Sequence, residues 1–258
     1  MRKNPVQEKI KRGEVAIGHL VMEFATPGIA QILTNSGFDF VLYDTEHTNF
    51  SMETVGWLIR CSRAANLPAF VRIPNGQYDL MSRTLDAGAD GLMIPCVQSR
   101  EEAQRIVRAT KYAPLGMRGT AFGVAHDDFL VGNILETMKA ANEQSTIIAQ
   151  IESVAGVENV EEILSVEGID VAWIGHFDLT QSMGIPGQFD HSDYLRAVER
   201  VSRACAKYHK AGGFMASTPA SALQMIASGF RCIAYHSDIR LYAHACQEGV
   251  AEIRRGLA

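Results

Sequence analysis

Asp44, Glu46 and His47 close an apolar run that starts at Asp39 (DFVLYDTEH), so two carboxylates and an imidazole stand at the end of a strand that reads as buried. An imidazole titrates near neutrality, and a carboxylate beside it orients the ring and raises its basicity, which makes His47 a candidate general base. Arg72 ends a second apolar run (AFVR) and can grip a carboxylate or enolate oxygen through two N–H groups. Glu152 follows TIIAQI and Asp178 follows DVAWIGHF. Two carboxylates from successive runs can share a hard divalent cation such as Mg2+, Mn2+ or Co2+, with water and substrate oxygens completing an octahedron. Each residue also has a purely structural alternative. Asp44 can cap a turn, His47 can bond a neighbouring loop, and Arg72 can form a surface ion pair. Glu152 can pair with Arg118 or Arg72, and Asp178 can cap a helix starting near Leu179.

The elements that would position these groups alternate. Short β-rich runs occur at residues 15–21, 39–43, 69–73, 90–94, 146–151, 170–174, 213–217 and 231–235, separated mostly by segments with helical spacing. Thr26 with Pro27 suits the N-cap and first position of a helix, Ser99 with Glu102 makes a capping box, and Ser192 can cap another helix. Gly37, Gly88, Gly212 with Gly213, and Gly229 stand where a left-handed residue would end a helix before the next strand. Eight strands interleaved with helices in 258 residues predict a single (β/α)8 TIM barrel spanning 1–258, because such a barrel needs about 250 residues. An open doubly wound sheet would want a glycine fingerprint after the first strand, and none follows. No linker of biased composition and no repeat beyond the alternation itself is evident. In a barrel the C-terminal strand ends share one mouth, which would gather Asp44, Glu46, His47, Arg72, Glu152, His176 and Asp178. The glycine-rich stretch 113–132 predicts a long loop, and loops of that length are usually functional.

Composition narrows the partners. A net charge of −5, with no basic stripe, argues against nucleic acid, and 47% hydrophobic with 21% charged residues describes a globular chain. The five cysteines, Cys61, Cys96, Cys205, Cys232 and Cys246, are scattered without a CxxC pair, which fits a reducing cytoplasm better than a disulfide framework or thiolate metal site. The first residues lack the apolar core of a signal peptide, and no stretch is long and apolar enough to span a membrane. Every lysine (Lys3, Lys9, Lys11, Lys111, Lys139, Lys207, Lys210) lies in a helical or terminal context, so a Schiff-base mechanism lacks its amine. No GxSxG elbow exists, and Cys96 reads as a buried structural thiol. Among the remaining histidines only His236 falls at a strand end.

Taken together, GFDFVLYDTEH, VRIP, LDAGADGLMIPCVQS, GMRG, QIES and IGHFDLT resemble the HpcH/HpaI family of metal-dependent 2-oxo-acid aldolases nearly end to end. The resemblance implies a class II, pyruvate-type aldolase, a carbon–carbon lyase that reversibly cleaves a 4-hydroxy-2-oxo acid to pyruvate or hydroxypyruvate and an aldehyde. It implies Glu152 and Asp178 as metal ligands, His47 as the base tuned by Asp44 and Asp86, Arg72 on the enolate oxygen, and the N–H groups of Gly175, His176 and Phe177 on the substrate carboxylate. It also implies a homo-hexamer built as a dimer of trimers, with the last helix exchanged and Asp86 reaching a neighbouring subunit. His176 and Phe177 depart from the family's smaller residues, which bears on specificity. Two other readings remain: a CoA-thioester lyase of the citrate-lyase-like group, and a non-catalytic 2-oxo-acid-binding barrel, which would have no use for His47.

Overall fold

A computed structural model describes residues 2–257. Eight parallel strands close on themselves: β1 Ala16–Val21, β2 Phe40–Asp44, β3 Ala69–Arg72, β4 Gly91–Ile94, β5 Thr146–Ile151, β6 Val171–Ile174, β7 Ala211–Ala216 and β8 Phe230–Ser237. The helices are α1 Pro5–Lys11, α2 Ile29–Asn35, α3 Met52–Ala64, α4 Tyr78–Asp86, α5 Arg100–Thr110, α6 Ile134–Gln144, α7 Val154–Glu158, α8 Val160–Leu164, α9 His176–Ser182, α10 Ser192–Lys207, α11 Pro219–Ala227 and α12 Asp238–Leu257. The chain is a (β/α)8 TIM barrel, as the alternation of runs predicts. No helix among the described residues is long and apolar enough to cross a membrane.

Two apolar layers hold the barrel. The larger lies between strands and helices, and the smaller fills the lumen with Leu20, Phe40, Leu42, Phe70, Met93, Ile148 and Trp173. Phe40 and Phe70 stack with ring centroids 4.9 Å apart. These rings need glycine opposite them: a Cβ on Gly18 would lie 2.3 Å from the Phe40 ring, and one on Gly213 would lie 2.3 Å from Trp173. Helix α1 closes the N-terminal end of the barrel. Its Asn4 cap donates to Asp90 O and Thr146 Oγ1, and Gln7 Nε2 donates to Asp170 Oδ1 at 2.9 Å.

A repeat does exist that the sequence reading misses. Gly37–Phe38–Asp39, Gly88–Ala89–Asp90 and Gly168–Ile169–Asp170 each precede an even-numbered strand, with the glycine at φ +86°, +102° and +100°. In each, the aspartate accepts from an N–H at the start of the preceding strand, the first residue of β3 and the second of β1 and β5: Ile17, Ala69 and Ile147, at 2.9, 2.9 and 2.8 Å. At the buried Ala69 and Ile147 that donor would otherwise lack a partner. The fourth copy, Gly229–Phe230–Arg231, keeps the glycine at φ +98° but replaces the aspartate by an arginine that bonds Ile226 O.

Several local expectations differ. Helix α2 starts at Ile29 behind Gly28 with no side-chain cap, because Thr26 and Pro27 make a preceding turn. His191, not Ser192, caps α10. Ser99 does cap α5, but Glu102 reaches past it to the Gln98 N–H. Gly212 and Gly213 lie inside β7 and make room for Phe230 and Trp173; the left-handed residue before β7 is His209. The 113–132 stretch follows α5, so it starts from the opposite end of the barrel, and it packs along α3 and α4 through Arg63–Asp128 (2.7 Å) and Gly119 N–Tyr78 Oη (2.8 Å). Lys111 is buried beside it with Nζ bonded to Asn142 O and Ser145, a structural use of the amine.

Replacing Gly213 by alanine forces Trp173 from its place in the lumen. The expected cost is about 1–3 kcal/mol of stability, read as a lower urea midpoint with an unchanged slope.

Candidate active site

The strand register brings Asp44 directly opposite Arg72. Arg72 Nε donates to Asp44 Oδ1 at 2.8 Å and Nη2 to Oδ2 at 2.7 Å, and Asp44 is wholly buried. The turn after β2 is tied to the same pair. The Glu46 N–H donates to Asp44 Oδ1 at 3.0 Å, and Thr45 Oγ1 donates to Arg72 O at 2.7 Å. Asp44 thus bonds Arg72 and has no hydrogen bond or ion pair with His47. The carboxylate nearest the imidazole is Glu46, whose Oε2 lies 3.6 Å from His47 Nε2 and 3.4 Å from Arg72 Nε. Glu46 Oε2 is buried without a hydrogen bond. Burial raises the Glu46 carboxyl above its ordinary range, against the opposing pull of Arg72 and His47. Burial also opposes the Arg72 charge, but Asp44, Glu46 and Glu152 outweigh it and hold the guanidinium above its ordinary value.

Glu152 follows β5 and is buried. Its Oε1 accepts from the Cys96 N–H at 2.6 Å, and its Oε2 from the amide of Gln150. Neither Arg118 nor Arg72 takes it; Arg118 pairs instead with Asp86 at 2.5 Å, at the end of α4. Within one chain, Asp86 therefore stays apart from His47. Cys96 has the left-handed φ of +56°, rare for a side chain of this kind, which aims its N–H at Glu152. Its thiol is exposed rather than buried, a correction to the sequence reading. Partial burial, together with the facing Glu152, Glu46 and Asp178 carboxylates, pushes that thiol up to about 12, which disfavours the thiolate.

Gly175 sits beside Glu152, and a Cβ there would stand 2.4 Å from Oε2. Its N–H donates to Ile151 O, so only His176 and Phe177 of the predicted trio keep N–H groups without an intrahelical acceptor. Asp178 lies exposed in the first turn of α9 and caps nothing; the cap position is Gly175. His47, Arg72, Gln150, Gly175, His176, Phe177 and Asp178 line one cleft of about 490 Å³ at the mouth, with Leu20, Leu42, Met93 and Met215 as its apolar part. A second cavity of about 530 Å³ lies between α10 and α11, behind a wall in which His176 meets Phe177, Phe189 and Phe214 at 4.5–5.2 Å. Burial first, and then Arg240, lowers His176 to about 4, which keeps that ring neutral.

The donors suit a hard cation. Glu152 and Asp178 are carboxylates, Gln150 Oε1 is a buried amide oxygen without a partner, and the missing Cβ of Gly175 leaves space before Glu152. No group of three or more His, Cys, Asp or Glu is arranged for a metal among the described residues. Two carboxylates with solvent and substrate oxygens is the pattern that magnesium-like ions accept. Gln150 was missed by the sequence reading, although the two-residue period of a strand places it on the same face as Glu152.

Residues 20–245 match the family model for HpcH/HpaI aldolase/citrate lyase. The chain belongs to that family. Among curated relatives, it is 34% identical over 253 residues to 2-keto-3-deoxy-L-rhamnonate aldolase of Escherichia coli (strain K12), covering 98% of this chain and 94% of the relative. Among solved structures it resembles the HpcH/HpaI aldolase of Desulfitobacterium hafniense DCB-2, with a TM-score of 0.92, 31% identity and 96% of both chains covered. It also resembles citrate synthase SbnG, with a TM-score of 0.87, 28% identity and 98% of both chains covered. As an HpcH/HpaI aldolase, the chain is an enzyme of the carbon–carbon lyase class, and its class II relatives depend on a divalent metal in general.

Glu46 binds its proton more tightly folded than unfolded, so protonation stabilises the fold at low pH and that contribution is lost as pH rises through the raised value. Glu46→Gln is therefore expected to raise the Tm of metal-stripped protein at pH 7. The gain should shrink toward pH 4 in a series of thermal melts.

Proposed function

We propose that this HpcH/HpaI aldolase reversibly cleaves a 4-hydroxy-2-oxo acid to pyruvate, or hydroxypyruvate, and an aldehyde. The observation that carries the reading is the meeting, in one cleft, of a guanidinium fixed by a buried carboxylate with a histidine flanked by a second carboxylate. The relative named for a 2-keto-3-deoxy acid supports the same substrate class.

In this reading, Arg72 places positive charge where the enolate oxygen develops, and its two bonds to Asp44 keep it from reorganising as that charge appears. The free N–H groups of His176 and Phe177 receive the substrate carboxylate. His47 removes the C4 hydroxyl proton in cleavage and returns it in addition, with Glu46 holding the ring. Glu152 and Asp178 hold a divalent cation, Mg2+, Mn2+ or Co2+, which when bound supplies Lewis-acid charge to the 2-oxo acid. Leu20, Leu42 and Met93 exclude water from the reacting carbons. Asp86 contributes across a subunit boundary, in a hexamer built as a dimer of trimers with α12 exchanged. The exposed apolar side chains of Tyr242, Val250 and Ile253 on α12 support that exchange. One domain spanning 1–258, in a reducing cytoplasm, completes the reading, supported by five free cysteines.

Metal-stripped protein with pyruvate in deuterated water should lose the methyl proton signal only after Mg2+ or Mn2+ is added, and Glu152→Gln should abolish that exchange. Absence of exchange with every metal, for pyruvate and hydroxypyruvate alike, would point to CoA thioesters instead. His47→Ala should lower the rate of aldol cleavage by about 10²–10⁴ while calorimetry still detects pyruvate binding. Unchanged turnover would remove His47 from the mechanism.

A further inference from the structure

The mouth cleft contains two guanidinium groups with opposite circumstances. Arg72 is committed to Asp44 and flanked by Glu46. Arg240, in the first turn of α12, lines the same cleft and the cavity behind it, and it has no ion pair or hydrogen bond among the described residues. Its neighbour Asp238 makes no ion pair with it; the oxygens of that buried carboxylate are taken by the N–H groups of Met22, Glu23 and Phe24 at 2.8–3.0 Å. A cation in the first turn of a helix is opposed by the helix dipole, so local stability gives no reason for an arginine here. Its charge reaches His176 and His236, and it disfavours protonation of both rings. The cleft wall nearby is Met215 and Ile239, with Ser237 the one hydroxyl. A neutral chain extending from the reacting carbons would find few polar partners, whereas an anionic one would find a guanidinium with unused donors.

We propose that Arg240 is a specificity-determining residue that binds a carboxylate or phosphate on the aldehyde-derived end of the substrate. This rests on the aldolase reading above. Arg72 and Arg240 then divide the work: the first meets charge that develops during the reaction, and the second meets charge the substrate already carries. A planar guanidinium suits both anions through paired N–H donors, so the two are separated by experiment.

The experiment measures kcat/KM for aldol addition of pyruvate to matched aldehydes: 4-oxobutanoate against butanal for the carboxylate, and glyceraldehyde 3-phosphate against glyceraldehyde for the phosphate. In the wild-type enzyme, at least one anionic aldehyde should exceed its neutral counterpart by about tenfold or more, the discrimination expected when a charged hydrogen-bonding partner is gained. Arg240→Met should bring that ratio to within about twofold of unity, and Arg240→Lys should restore part of it. Because the ratio is taken within each variant, a general loss of activity does not imitate the result. The pair with the larger ratio identifies the anion. A wild-type preference for the neutral aldehydes, or a ratio that Arg240→Met leaves unchanged, overturns the assignment. Deuterium exchange into pyruvate by the wild type, run without aldehyde, separates the two failures. Exchange without anionic preference overturns the role of Arg240 alone, and absence of both exchange and addition overturns the aldolase reading together with it.

Discussion

A wholly buried carboxylate grips Arg72 at both of its oxygens, and the arrangement of the mouth follows from that pair. Asp44 and Arg72 stand opposite each other because β2 and β3 are in register there, so barrel closure and site assembly are one event. Removing one partner of such a pair leaves a buried charge uncompensated, typically at a cost of about 3–5 kcal/mol. The guanidinium is thus fixed in place before any substrate arrives. The turn that carries Glu46 and His47 is anchored to the same two residues through Thr45 and the Glu46 N–H. One ion pair thus positions both His47 and Arg72, the two residues to which the proposed mechanism gives proton transfer and charge stabilisation.

The charge balance at the mouth is what supports the proposed cation. Asp44 takes both donating edges of Arg72, Glu46 shares what remains of that guanidinium with His47, and Glu152 and Asp178 have no basic partner among the described residues. Glu152 is held by a backbone N–H and an amide, groups that orient a carboxylate without cancelling its charge. Glu46 responds by holding its proton more tightly, the ordinary outcome of burial beside other carboxylates. In the proposed reading, a divalent ion would relieve the same imbalance at Glu152 and Asp178. Arg240 lines the same cleft without an ion pair or hydrogen bond among the described residues.

The supporting lattice is economical in kind. Large rings at Phe40, Phe70 and Trp173 fill the lumen only because Gly18, Gly91 and Gly213 face them without a Cβ. The Gly–X–Asp repeat takes a donor from the first two residues of β1, β3 and β5 in the same way each time, which sets strand starts and therefore strand ends. Since the reactive groups sit on those ends, fixing the starts fixes the site.

The amino-acid order alone determined the barrel, the eight strand positions to within a residue or two, and the set of polar residues gathered at one mouth. It could do so because hydrophobic period and strand-end position are local properties of the chain. Helix caps at Thr26 and Ser192 were misread because several residue types compete for one cap and only tertiary packing selects among them. Gly212 and Gly213 looked like helix ends, since the rings that require them, Phe230 and Trp173, are distant in sequence. Tertiary structure alone decided that Asp44 holds Arg72 while Glu46 faces His47, that Asp86 pairs with Arg118, and that Arg240 enters the cleft from the far end of the chain. Each of these depends on register and closure, which bring together residues whose spacing in sequence carries no trace of their contact.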